Sequence, residues 1–329
     1  MTTKYNNVYL NEVGTVVGPY ENAGPLGKFF DKNYDDLYFG CDTWEQAESK
    51  LISDSIDIVL NKASLTKYDI DVMISGDLLN QITASNYGAI DEPFSMIGVY
   101  AACASSMLGI ALGSNMIESN QVDKVLCCAS SHNNGAEKQF RYPVEYGGPK
   151  PKTTTFTATG AACALLSNQK SKIKVESSTI GKVIDSGISD VFNMGAVMAV
   201  AAADTIYTHL KDTGRSIGYY DMVFTGDLGV YGRKILKEYM FKEFGISLNN
   251  YDDTGTILYD LEKQPVYAGA SGVVCAPLVT YTYVLNEMKK KNFKRVLVVA
   301  TGALHSQSLA SQGLTIPSIA HAVSLEVVK

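Results

Sequence analysis

The 329-residue chain repeats itself at a constant spacing of 150 residues. Asp54-Ser55-Ile56 answers Asp204-Thr205-Ile206, Leu60 answers Leu210, and Asp71 answers Asp221. Ser75-Gly76-Asp77-Leu78 answers Thr225-Gly226-Asp227-Leu228. With small insertions the match continues, Val99-Tyr100-Ala101 with Val266-Tyr267-Ala268 and Val125-Leu126 with Val296-Leu297. Self-similarity at one spacing marks a duplicated supersecondary unit. In each copy, short apolar runs alternate with helical periodicity, and parallel strands joined by helices cross over right-handed. Two packed, pseudo-symmetric α/β halves are predicted, 1–180 and 181–329.

In the first copy Thr43-Trp44-Glu45-Gln46 has the capping-box pattern and opens a helix to about residue 62, with Trp44, Ala47, Leu51, Ile58 and Val59 as its buried stripe. Residues 71–75 read as a buried strand ending in a Gly76-Asp77-Leu78 turn, and 122–131 as another. Between them, residues 99–117 (VYAACASSMLGIALGSNMI) read as a strand end, a tight Ala-Ala-Cys turn, and a helix small or apolar on every face. A helix without a polar face belongs inside the protein. This one and its counterpart near 270–288 are predicted to lie between two sheets, giving a five-layered α/β/α/β/α arrangement with buried central helices.

Ligand sites in open α/β sheets lie beyond the carboxyl ends of strands, here the loops 76–80, 100–105, 131–135, 226–231 and 301–306. Cys103 falls at the start of the central helix, where unpaired N–H groups and the helix dipole favour a thiolate. The plainer alternative is a small apolar residue filling space. The same helix start offers an anion the backbone N–H groups and the hydroxyls of Ser105 and Ser106. His132 and His305 follow strands and are candidates for the same cleft, ahead of His209 and His321. Asp77 and Asp227 each follow a strand and precede a helix, so both read as N-caps, with Asp227 also facing Cys103. The segment 132–159 is too long for a plain connection and too rich in Tyr, Phe and Pro for a linker, so it reads as a cap. Within it Arg141 offers a fork for a carboxylate, or else a salt bridge to Glu137 or Glu145.

The net charge of −6 and pI near 5.3 exclude the basic face of a nucleic-acid binder; Lys289-Lys290-Lys291, the largest basic cluster, reads as a solvated helix end. The six cysteines show no CxxC pair and no zinc-ligand spacing, and no apolar run reaches the roughly 20 residues that span a bilayer. The first residues carry no export or transit pattern, so the reduced cytosol is expected.

Duplicated halves, a Cys at the start of the buried helix and the Gly160-Ala161-Ala162 strand resemble the thiolase and ketoacyl-synthase fold. More closely, the whole chain resembles the stage V sporulation protein AD family of endospore-forming bacteria. The motifs that carry this are GPLGKFFDK, SGDLLNQ, SSHNNGAEKQFRYPVEYGG, VFTGDLG, VYAGASG, RVLVVATGALHS and GLTIPSIAHAV. The resemblance implies binding of dipicolinic acid, free or as a calcium chelate, and its uptake into the forespore with membrane proteins of the same sporulation set. It also implies a peripheral location at the cytoplasmic face of the spore or forespore inner membrane. No cofactor is expected apart from calcium arriving with the ligand. A homodimer is expected through strand 94–99, an edge strand in the resembled fold. The candidate ligand-binding set is Cys103, Ser105, His132, Arg141, Asp227 and His305.

Catalytic members of that fold place a His and an Asn, or a second His, beside the nucleophilic Cys. Here Asp227 stands where the first His is expected, and Ala268-Gly269-Ala270-Ser271-Gly272 has no Asn. A carboxylate beside a thiol raises its pKa and repels an oxyanion, which opposes acyl chemistry. An acyl-thioester enzyme using Cys103 is the alternative, and a scaffold subunit of a membrane complex, without a ligand, is the third.

Overall fold

The computed structural model describes residues 1–140 and 149–328. Helix α1 (Trp44–Ala63) starts from the capping box read in the sequence: the Gln46 N–H donates to Thr43 Oγ1, and the Thr43 N–H donates to Gln46 Oε1, both at 3.2 Å. The other principal helices are α2 (Ser105–Glu118), α3 (Asn133–Phe140), α4 (Met194–Thr213) and α5 (Gly229–Phe244). A sixth, α6, runs from Cys275–Val279 through a π-helical turn, Thr280–Val284, to Leu285–Lys289. Both ends of α4 lie 150 residues after those of α1, and both helices stop at a left-handed residue, Ser64 and Gly214.

The first half contributes β1 (Tyr9–Val17), β2 (Val72–Gly76), β3 (Ser95–Gly98), β4 (Lys124–Ser131) and β5 (Gly160–Ser167). They lie in the order β3-β2-β4-β5-β1, with β2 parallel to β3 and β4, and β5 antiparallel to β4 and β1. The second half contributes β6 (Ile173–Ile180), β7 (Met222–Thr225), β8 (Tyr251–Asp253), β9 (Arg295–Ala303) and β10 (Pro317–Val327). Their order is β8-β7-β9-β10-β6 with the same directions, so the duplication extends to strand order. The sheets meet edge to edge where Tyr9 and Leu10 pair with Lys174 and Ile173. The sequence boundary at 180/181 therefore falls behind β6, the strand that takes the place of β1 in the second sheet.

Strand alternation builds the layers, because successive side chains point to opposite faces. Val72, Ile74, Val125 and Cys127 turn to an inner core shared with Met107, Ile110 and Ile117 of α2. Val296, Val298 and Ala300 of β9 meet the same core from the other sheet, together with α6. The intervening residues Met73, Leu126 and Cys128 pack outward against α1, and Leu297 and Val299 pack outward against α4 and α5. This is the five-layered arrangement, with α2 and α6 in the middle. Helix α2 starts two residues later than the sequence suggests, since Ala102 is left-handed (φ 47°) and residues 101–104 form a tight turn. No helix among the described residues is long and apolar enough to cross a membrane.

Candidate functional site

The ends of β2, β4 and β9, the turn before α2, and the start of α4 converge on one cavity. Leu78, Ala102, Cys103, Ala136, Phe140, Met194, Met198 and His305 are among its walls. The remaining wall is a two-stranded ribbon, Phe156–Thr157 beside Ala270–Ser271, which presents Thr157 and Ser271. The inner cavity is narrow, about 50 Å³, room for a few water molecules. A vestibule of about 600 Å³ shares Tyr100, Phe140 and His305 with it and is faced by the amides of Asn80, Gln81, Gln139 and Gln307.

The turn carrying Cys103 is held from three directions. Ser105 Oγ donates to the Ala102 carbonyl oxygen at 2.7 Å and accepts the Ala101 N–H at 2.8 Å, which fixes the left-handed Ala102. Gly76 lies against Val99 and Ser105, and Gly302 lies so close to the Ala101 carbonyl that a Cβ on either would overlap the turn. The Ser105 hydroxyl is thus spent on the turn rather than offered to a ligand. The N–H groups of Ala104 and Ser105 also bond within it, to the carbonyls of Ala101 and Ala102. The anion site expected at this helix start is correspondingly smaller, although the Ser106 hydroxyl is buried without a hydrogen-bond partner among the described residues.

Asp227 is fully buried in a left-handed conformation (φ 69°), and its carboxylate accepts the Gly272 N–H at 3.0 Å. It does not cap α5: Asp253 accepts the N–H groups of Leu228 (3.2 Å) and Gly229 (2.8 Å) and the Thr225 hydroxyl. Burial pushes the Asp227 pKa well above the usual carboxylate range; the thiols of Cys103 and Cys275 pull it back in part, and the Asp253 charge raises it further. Burial thus favours the protonated form of Asp227. Beside Cys103, a carboxyl group biased toward that form is a poor acceptor for the thiol proton. Asp253 is itself pushed up to about 6 by burial. Ala102 and Asp227, with Gln81 and Ile82 at the vestibule, are non-glycine residues held left-handed. Each costs on the order of 1–3 kcal/mol, strain that collects at functional sites.

The other candidates separate. His305, 8% exposed, joins the cavity and faces Phe140 at 6.0 Å between ring centres. His132 does not reach it: its ring is buried against Trp44 and Phe39, Nε2 donates to the Leu37 carbonyl at 2.8 Å, and burial lowers its pKa. Asp77 accepts the N–H groups of Leu79 (2.9 Å) and Ser85 (2.8 Å), a local role as its position suggests. Arg141 lies outside the described residues; Glu137, one partner considered for it, is ion-paired with Lys150 at 3.0 Å. The segment 132–159 opens with α3 and walls the cavity through Ala136, Phe140, Thr155 and Thr157. Missed in the sequence were Asp253, Met194 and Met198. The Asp252-Asp253-Thr254-Gly255 turn chemistry could have drawn notice to the first, whereas the two methionines carried no signal.

The model of the stage V sporulation protein AD family matches residues 2–326. The chain belongs to that family. The stage V sporulation protein AD of Bacillus subtilis (strain 168) is 43% identical over 320 residues, 97% of this chain and 94% of that protein. Among solved structures, a variant of Xanthomonas campestris OleA superposes with a TM-score of 0.62 at 14% identity, over 98% of this chain and 99% of that one. The 3-oxoacyl-[acyl-carrier-protein] synthase III of Aquifex aeolicus VF5 gives 0.55 at 12% identity, over 97% and 99%. The family thus has a thiolase-like fold, and its member here carries Asp227 where the resemblance to catalytic members implies a His.

Proposed function

We propose that this chain binds dipicolinic acid, free or as its calcium chelate, for uptake into the forespore, on a thiolase-like fold that no longer performs acyl transfer. The observation that carries the second half of this reading is the fully buried Asp227, bonded to the Gly272 N–H, in the place where the resemblance to catalytic members implies a His. Ionised, it repels a developing oxyanion and raises the thiol pKa; protonated, it has no site to take the thiol proton. A narrow inner cavity opening into a vestibule of about 600 Å³ favours a small ligand seated at their junction over a long acyl chain buried within. The ligand's identity rests on the family resemblance.

Two ligand carboxylates need donors, because burying them uncompensated is costly. The walls supply His305, Thr155, Thr157, Ser271 and the Tyr100 hydroxyl, and among the described residues no Lys or Arg lines the inner cavity. Arg141 follows Phe140, which faces both cavity and vestibule, and is our candidate for the charge-assisted contact. The partners that go with this reading are membrane proteins of the same sporulation set, met peripherally at the cytoplasmic face of the inner membrane. A second copy pairs through β3, the exposed strand that ends the first sheet.

Calorimetry on one sample tests the reading with dipicolinate, with dipicolinate plus a calcium chelator, and with acetyl-coenzyme A. Dipicolinate is expected to bind, and Arg141→Ala to weaken it by roughly 2 kcal/mol or more. Unchanged affinity in the chelator excludes a calcium bridge. Absence of dipicolinate binding, or stoichiometric acylation at Cys103, overturns the proposal.

A further inference from the structure

A second concave surface lies at the other end of the same strands. Lys124 opens β4 and Ser131 closes it near the cavity, so the two sites stand about 23 Å apart along the strand. This groove, of about 660 Å³, is lined by Lys62, Lys124, Lys170, Lys172 and Lys289, against a single carboxylate, Glu12. Lys62 is ion-paired with Asp31 at 2.6 Å. The other four form no ion pair among the described residues. In a chain of net charge −6 this is a local excess of unneutralised positive charge. Lys62 and Lys289 sit in the last turns of α1 and α6, where cations complement the helix dipole. No such reason places Lys124, Lys170 and Lys172, which stand on β4 and on the connection between β5 and β6.

Apart from the Gln169 side chain, the groove's neutral polar side chains are already used. Asn11 Nδ2 donates to the Gln169 carbonyl (2.9 Å), Ser167 Oγ to Asn11 Oδ1 (2.9 Å), and Ser171 Oγ to the Leu10 carbonyl (2.8 Å). What remains on offer is a set of separated ammonium groups, with no arginine fork. Its aliphatic residues Leu10, Val13, Leu165, Ile173 and Leu285 are buried in the floor and Ala63 and Leu65 are half-buried, so the groove offers no fully exposed apolar side chain to a bilayer. Spaced point charges in a trough match an extended chain bearing repeated carboxylates, each meeting one lysine. We propose that this groove docks an acidic, Asp- and Glu-rich segment of a partner protein. The proposal is independent of what the cavity binds.

The test is fluorescence anisotropy of dye-labelled hexaglutamate titrated with the full chain at low ionic strength. Neutralising Lys124, Lys172 and Lys289 to Gln keeps their stems and should weaken binding by about tenfold, as three exposed ion pairs would. Lys211→Gln, Lys234→Gln and Lys237→Gln together, on α4 and α5, should change it less than about twofold. Equal losses in the two triple variants, or no peptide binding at all, overturn the proposal. So does lysine-dependent binding of phosphatidylglycerol vesicles or of inorganic pyrophosphate in the absence of peptide binding.

Discussion

Glu21 joins the two halves with a fully buried carboxyl group. Its Oε1 accepts the Thr159 N–H at 2.9 Å and a short hydrogen bond from the Tyr259 hydroxyl, while Oε2 is buried without a hydrogen-bond partner among the described residues. Burial pushes its pKa from 4.5 up to about 7, against the lowering effect of those bonds. The fold therefore prefers the protonated form. The associated stability is fully present below pH 4.5 and is lost as the pH rises through about 7. At about 1.4 kcal/mol for each tenfold change in proton affinity, the loss approaches roughly 3 kcal/mol by pH 8 to 9. That is a large share of the ~5–15 kcal/mol by which proteins are stable. Glu21→Gln keeps the acceptor oxygen and removes the ionisable group. Urea unfolding followed by circular dichroism should find the variant and the wild type within about 1 kcal/mol at pH 4.5, with the variant ahead by up to about 3 kcal/mol at pH 8.5. Other buried acids titrate in both proteins, so the difference between the curves isolates Glu21. Parallel curves, or a variant less stable at pH 8.5, would refute the reasoning.

Cys103→Ala should retain dipicolinate affinity within about threefold, or about 0.7 kcal/mol, since the thiol is no charged donor; calorimetry decides it. Intact-mass measurement of the wild type after incubation with acetyl- or malonyl-coenzyme A should show no added mass, because Asp227 stands where the resemblance to catalytic members implies a His. Gly302→Ala would drive a methyl group into the Ala101 carbonyl and should cost about 1–3 kcal/mol in urea unfolding, and dipicolinate affinity as well. Ile97, 38% exposed on β3, should hold the dimer edge. Ile97→Lys should then shift sedimentation at micromolar concentration from dimer to monomer, and a wild type that is itself monomeric there refutes the pairing.

The elements whose signal is local were legible in the sequence. The Thr43/Gln46 capping box, the 150-residue spacing that sets α4 against α1, and the uniformly apolar α2 each depend on residues a few places apart or on a period. Three of the five strand-end loops named from sequence, 76–80, 100–105 and 301–306, line the cavity, because in parallel strands the carboxyl ends share one pole. What sequence could not assign was where each side chain goes within those loops. His132 and His305 both follow strands, yet one ring turns back to Leu37 while the other enters the cavity. The capping duty expected of Asp227 falls to Asp253, since the cap of α5 comes from β8, 24 residues downstream of Gly229, and leaves Asp227 to the Gly272 N–H. The seryl hydroxyl of Ser105 was available on paper and is consumed by a left-handed Ala102. A local pattern fixes which backbone groups need partners, but which side chain supplies them depends on segments brought together only when both sheets close on α2.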